Sequence, residues 1–377
     1  MLILQLNPDC HMEKNKYTYF HKLLLVLLIS CLSKSIAAQQ ELRVVIAGLN
    51  HDHVHGILKR YQKGLVNVVG IAEANKPLRE KYKNLYHLPD SLFFEDLKKL
   101  VLQKKPDAVL AYNAIGKHLD IVEICAPLGI SVMVEKPLAA TLKQAKQIEL
   151  LAVKYNIEVL TNYETTWYPS YYDVFNTINK DSIGPIKKMV VHDGHQGPKE
   201  IGCSPDFLSW LTDPVLNGAG ALHDFGCYGA DLMTWLMKGI RPIAVTAITR
   251  HYKPENYPKV DDDATIILEY PNATGLIEAS WNWPFSIKDL EVFGQRGYLH
   301  ALNATDITSR QRENRKATKT AEPLPEPIND PINYLTAVLQ NKIPGTADQS
   351  SLKYNMIVME ILDAAKRSAE TGKRIVL

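Results

Sequence analysis

From Leu42 onward the chain alternates short, almost wholly apolar runs with longer amphipathic stretches, and this rhythm restricts the folds open to it. Leu42–Ala47, Val66–Ala72, Ala108–Ala111, Ser131–Val134 and Glu158–Thr161 read as strands. Pro77–Leu85, Phe94–Gln103, Lys117–Leu128 and Leu142–Tyr155 lie between them as helices. Thr141, with Gln144 three residues on, is a capping-box start for the last helix. Strands apolar on both faces and joined by helices require a parallel sheet covered on both sides. The expectation is a doubly wound Rossmann domain over residues 41–163.

The rhythm changes after Tyr163. A helix near Ser170–Asn179 precedes a strand Ile186–Val191, a loop rich in Gly and Pro, and a helix from Gly220 to Met237. Strand-like runs follow at Ile243–Thr249, Ala264–Tyr270, Gly275–Ser280, Asp289–Phe293 and Tyr298–Ala301, with hairpin-length links such as Pro271-Asn272-Ala273. Arg310–Pro327 reads as a polar loop or arm. Helices near Ile332–Gln340 and Ser351–Glu370 close the chain. Residues 164–377 are thus expected to form an α+β domain, with a mostly antiparallel sheet and returning C-terminal helices.

The first 40 residues read as an address. Lys14, Lys16 and Lys22 precede the apolar run Leu23–Leu32, which is too short to span a bilayer, and small residues follow at Ser35-Ile36-Ala37-Ala38. A secretory signal peptide cleaved near Ala37 or Ala38 implies a periplasmic protein. A lipobox at Leu28-Ile29-Ser30-Cys31 would instead leave Cys31 lipid-anchored. Beyond this segment basic and acidic residues balance, which argues against a nucleic-acid partner. Cys125, Cys203 and Cys227 are widely spaced and form no disulfide framework.

Several residues are candidates for chemistry. Gly48 follows the first strand where G-x-G-x-x-G is expected, but Asn50 and His53 stand at the second and third glycine positions. Glu73 ends the second strand 25 residues after Gly48, where an acid bonds a ribose 2′-hydroxyl and favours NAD over NADP. His51 and His53 alternate in a turn and are not expected to converge on a metal; a polar lining for cofactor phosphates suits them better. Tyr112, Asn113 and His118 follow the third apolar strand, and Glu135-Lys136-Pro137 follows the fourth. Both places are carboxyl ends of parallel strands, where ligands of such sheets bind. Asp224, Tyr228 and Asp231 are spaced to share one helix face. His195 and His223 are candidate substrate contacts, as are Trp281 and Trp283, which suit stacking on a sugar ring.

The chain resembles the Gfo/Idh/MocA oxidoreductases. The likeness rests on Val44–Gly48, on Glu135-Lys136-Pro137-Leu138, and on the glycine-rich run into Asp224-Phe225-Gly226. Tyr228 stands where most relatives have His, as in the glucose–fructose oxidoreductase branch. The resemblance implies NAD(P)-linked oxidation of sugar-like alcohols and an open sheet face used for homo-oligomerisation. It also implies that Lys136 is the catalytic lysine, Asp224 the substrate-orienting acid and Glu73 the ribose contact.

A hydride would pass from a pyranose or polyol carbon to nicotinamide. Free Tyr and Lys titrate near pH 10. A neighbouring cation would lower Tyr228 and desolvation would lower Lys136, so the two would share the hydroxyl proton. Export out of the reach of free NAD favours a tightly held cofactor. It leaves room for a redox-neutral enzyme that cleaves glycosides by transient oxidation, or for a non-catalytic sugar-binding relative.

Overall fold

The computed structural model describes residues 41–346 and 348–377. The expected signal segment and Cys31 lie outside them. No helix among the described residues is long and apolar enough to cross a membrane.

The first sheet runs β3-β2-β1-β4-β5-β6, all parallel: β1 Arg43–Ala47, β2 Asn67–Ala72, β3 Phe93–Phe94, β4 Ala108–Ala111, β5 Ser131–Glu135 and β6 Val159–Asn162. This is the strand order of a dinucleotide-binding domain. Alternate residues explain why every position of β1 is apolar after Arg43. Val44 and Ile46 enter one core, with Leu110 and Met133, while Val45 and Ala47 enter another, with Val109 and Val132. The helices begin where local chemistry favours them. Asn75 caps Lys76–Tyr86 through Leu78 N, and Thr141 caps Leu142–Tyr155 through Gln144 N.

Among the described residues the second sheet has nine strands, in the order β14-β13-β12-β11-β7-β10-β9-β8-β15 and antiparallel except for the β7–β10 pair. Its flanking members are β8 Ala244–Arg250, β9 Asp263–Glu269, β12 Gly297–Ala301, β13 Asp306–Gln311, β14 Ala317–Thr320 and β15 Ile375–Val376. Its central members are β7 Ile186–Gly194, β10 Thr274–Ser280 and β11 Ile287–Gly294. One face carries Met189, Val191, Ile277, Leu290 and Val292 into a core continuous with the first sheet. Helix Leu352–Thr371, capped by Ser351, packs on both β8 and helix Leu142–Tyr155. Helix Pro331–Leu339 returns further, placing Ile332, Leu335 and Val338 in the core beneath β1.

Three expectations change. The Gly- and Pro-rich loop contains a short helix, Pro205–Leu211, capped by Ser204. The polar arm supplies part of a hairpin, β13 Asp306–Gln311 with β14 Ala317–Thr320. The helix expected over Gly220–Met237 is two helices, Ala221–Asp224 and Gly226–Leu236, broken at Phe225.

Candidate functional site

The strand order reverses between β1 and β4, and their carboxyl ends open a crevice. The chain leaves β1 at Gly48 with φ +87°, and a Cβ there would lie 2.7 Å from Asn113 Cβ, so the position requires glycine. The rest of the turn is held by its own contacts. Leu49 N donates to Glu73 Oε2 (2.9 Å), His51 N to the Tyr112 carbonyl (3.2 Å) and His53 N to His51 Nδ1 (3.2 Å). Glu73 also accepts from Asn75 N (2.8 Å), so the expected ribose contact buttresses the turn as well.

A helix of the second half covers this turn. Ser204 N and Oγ donate to the two Asp52 carboxylate oxygens (2.8 and 2.6 Å), and Trp210 Nε1 donates to the Asn50 carbonyl (2.8 Å). The His51 ring lies against Phe207 and Trp210. Burial, reinforced by the charges of His53, Lys136 and His118, pushes His51 well below the usual imidazole range. His118 is also buried and is pushed down to about 4; its Nδ1 lies 3.1 Å from the Leu138 carbonyl.

The alternating histidines do converge, contrary to expectation, because the turn folds back on itself. The His51 and His53 rings stand 4.6 Å apart, and His53 Nδ1 lies 2.9 Å from Glu135 Oε2. These three residues form the one set among the described residues whose donors, within 4.8 Å of one another, could hold a metal. Asn162 Nδ2 donates to the other Glu135 oxygen (2.9 Å).

Asn50 Oδ1, Asn113 Oδ1 and His118 Nε2 are buried without a partner among the described residues. Unpaired polar atoms are costly to bury, and a dinucleotide brings the amide, hydroxyl and phosphate groups that would pair them. The crevice residues therefore fit such a cofactor, although three N–H groups of the turn are already committed.

Beyond β5, Lys136 reaches across to the second half. Its Nζ donates to Asp224 Oδ1 (2.5 Å) and to the Asp224 carbonyl (2.9 Å), and it stands 5.0 Å from the centre of the Tyr228 ring. Asp224 is placed by a close approach of backbone. Asp261 accepts from Gly220 N and Leu222 N, and a Cβ on Gly220 would lie 1.7 Å from the Asp261 carbonyl oxygen. Trp281 Nε1 donates to Asp224 Oδ2 (2.9 Å).

Burial would lower Lys136, but the Asp224 charge and hydrogen bond overcome it and raise the ammonium to about 12. Burial would raise Asp224, but Lys136, with smaller help from His195 and Trp281, holds it below the usual carboxylate range. Tyr228 is pushed well above its ordinary value by burial, then by the Glu164 and Asp193 charges. The expectation of two groups softened toward neutral pH is therefore corrected. The paired acid, not desolvation, decides the state of Lys136.

A cleft of about 880 Å³ opens over Lys136, Asp224 and Tyr228, with His53 and His195 on its walls. Gly197 N donates to His195 Nδ1 (2.9 Å), which leaves Nε2 as the imidazole's own donor. Three expected sugar contacts do not line this cleft. His223, next to Asp224 on one short helix, points instead at Gly218, and burial pushes it down to about 3. Trp281 is fully buried against Tyr257, and Trp283 packs over Gly194, because the chain has left β10 and no longer alternates. Asp231 does not share the Asp224 face either: the break at Phe225 separates them, and both Asp231 oxygens are buried without a partner among the described residues.

Two residues were missed. Lys288 pairs with Glu164 and stands 4.7 Å over the Tyr228 ring, so that ring lies close to two ammonium groups. Lys288 shares the inward face of β11 with Leu290 and Val292, and a lysine in that alternation is a readable signal. Across the sheet it faces Asp193, a fully buried acid that burial pushes well above the usual range.

A doubly wound nucleotide sheet meeting a lysine–acid–phenol floor defines a dehydrogenase-type architecture. The chain belongs to the Gfo/Idh/MocA oxidoreductases: the family's NAD-binding Rossmann domain matches residues 42–163 and its C-terminal domain residues 173–300. It is similar to trans-1,2-dihydrobenzene-1,2-diol dehydrogenase of Xenopus laevis, 26% identical over 270 residues, covering 71% of this chain and 76% of that one. Among solved structures it resembles an inositol dehydrogenase homologue of Azotobacter vinelandii complexed with NAD+ (17% identity, TM-score 0.77, 90% and 98% of the two chains). It also resembles aldose-aldose oxidoreductase of Caulobacter crescentus complexed with glycerol (18%, TM-score 0.75, 90% and 100%). These two likenesses establish the fold.

Proposed function

We propose that the protein oxidises a carbinol of a sugar or polyol, and that the Lys136–Asp224 pair beside Tyr228, at the floor of the cleft, carries the reaction. A bound nicotinamide would supply the acceptor for the carbinol hydrogen and its bonding electron pair. The protein handles the oxygen. Two of the three Lys136 donor positions are spent on Asp224, leaving one N–H for the substrate oxygen. Tyr228 supplies a second donor, and Trp281 and Lys136 together keep the Asp224 carboxylate oriented.

Both donors are protonated at neutral pH, a state suited to giving a proton to a carbonyl. By microscopic reversibility, oxidation runs through their deprotonated forms. The kcat/KM for alcohol oxidation is therefore expected to rise steadily through roughly pH 6 to 9. A bell centred near neutrality would overturn the assignment.

Glu73 at the end of β2 supports NAD over NADP, since its carboxylate would repel a 2′-phosphate. A lower KM for NAD checks this. The cover of helix Pro205–Leu211 over the turn supports a retained cofactor and leaves the redox-neutral glycoside-cleaving reading open. Native mass spectrometry of the purified protein reads a retained dinucleotide as added mass, and product analysis reads glycoside cleavage. Calorimetry showing sugar binding without dinucleotide binding would select the non-catalytic reading. Residues 1–40 support export, with either cleavage or a lipid at Cys31. Ile248, Ile267 and Phe293, all exposed on the open sheet face, support a homo-oligomer, which sedimentation would measure.

A further inference from the structure

The cleft is polar at its floor and apolar at its mouth. Phe285, Ile201 and Leu302 are the exposed apolar residues of its lining, backed by the buried Pro198, Phe207 and Leu211. Phe285 is 60% exposed, Ile201 48% and Leu302 39%, and the three come from separate loops after β7, before β11 and after β12. A free monosaccharide bears hydroxyls around its whole rim and has little to bury there. A ligand with an apolar end would remove this surface from water.

The charges narrow the choice further. Each lysine lining the cleft is already paired, Lys136 with Asp224 and Lys288 with Glu164, and His53 lies against Glu135. Asp52 at the same wall is bonded to Ser204. A carboxylate or phosphate on the substrate would enter among acids, with the charge of each lysine lining the cleft already balanced by its partner.

We propose that the substrate is an uncharged glycoside with an aromatic or alkyl aglycone. Its sugar hydroxyls lie on the Lys136–Asp224–Tyr228 floor and its aglycone against Phe285 and Ile201. This rests on the oxidation proposed above and names its substrate class. The carbinol gives a hydrogen with its electron pair to NAD(P)+ and its hydroxyl proton to the deprotonated Lys136 or Tyr228, and becomes a ketone.

The test uses purified full-length protein with added NAD+, followed by nicotinamide absorbance. The probes are phenyl and octyl glycosides of glucose, galactose and xylose, each set beside its methyl glycoside and free sugar, with phenyl glucuronide as the charged analogue. The expected result is a kcat/KM at least about tenfold higher for phenyl or octyl than for methyl glycosides of one sugar. That ratio should collapse toward one in Phe285→Ser. Phenyl glucuronide should fall below phenyl glucoside.

Equal rates for free sugar, methyl and phenyl glycosides would overturn this inference and leave the oxidation standing. So would preference for the glucuronide, or a change of oligomeric state in Phe285→Ser with the ratio intact, which would mean that a second copy covers the mouth. No oxidation of any probe would overturn the underlying reading and this one with it.

Discussion

The turn after β1 and the floor beyond β5 both bury charge and imidazole, yet they commit their polar atoms differently. In the turn, main-chain N–H groups of Leu49, His51 and His53 are tied to Glu73, Tyr112 and His51, while side-chain atoms of Asn50 and Asn113 are left unpaired. On the floor, the side chains pair first, Lys136 with Asp224 and Lys288 with Glu164, and the pairs face an open cleft. The turn thus keeps unpaired side-chain acceptors where the usual glycines would leave free backbone N–H groups. On the floor, Lys136 and Asp224 are buried as an opposite pair.

Breaking a pair on the floor has the largest expected effect. Lys136→Met removes the proposed donor to the substrate oxygen and leaves the Asp224 carboxylate buried without its counter-charge, with Trp281 still donating to it. Turnover should fall about 10³-fold, and stability by about 3–5 kcal/mol in denaturant titration. Adding Asp224→Asn should recover much of the stability and none of the turnover, which separates the structural from the chemical share of the pair.

Acidification strikes both regions at once. His118 lies behind the turn and His223 behind the floor, with pKa values pushed down to about 4 and about 3 from 6.5. Between 6.5 and those values the unfolded chain binds the extra protons, so stability is complete above about pH 6.5 and declines as pH falls through that window. The full loss is roughly 3 to 5 kcal/mol for each residue, readable as a falling Tm.

Gly48→Ala is aimed at the turn alone. Its Cβ would meet Asn113 at 2.7 Å in a left-handed conformation. It should cost more than about 1 kcal/mol and release bound dinucleotide, while leaving the Lys136–Asp224 contact in place. The smallest effect belongs to Trp281→Phe, which deletes one hydrogen bond to a carboxylate. It should cost about tenfold in kcat with little change in KM.

Much of the parallel sheet is legible in the sequence because its strands are apolar on both faces. β3 is not, since two residues, Phe93–Phe94, make no pattern. Helix Pro205–Leu211 carries Phe207, Trp210 and Leu211 at helical spacing, but it is too short for the periodicity to stand out from a proline-bearing loop. β14 is exposed throughout and so has no apolar alternation to betray it. The nearness of Lys136, Asp224 and Tyr228 followed from two motifs taken together. Glu164 and Lys288 belong to no motif: the register of β11 against β7 sets Lys288 across from Asp193, and Glu164 reaches Lys288 from the turn that follows β6. The protonation of Lys136 was misread because burial was weighed without the partner that comes from 88 residues away.

Ser204, Asp52, Trp210 and Asn50 fasten a helix of the second half directly onto the nucleotide turn of the first. That helix is also a wall of the cleft, because Phe207 and Leu211 ride on it. One short element therefore borders both berths at once.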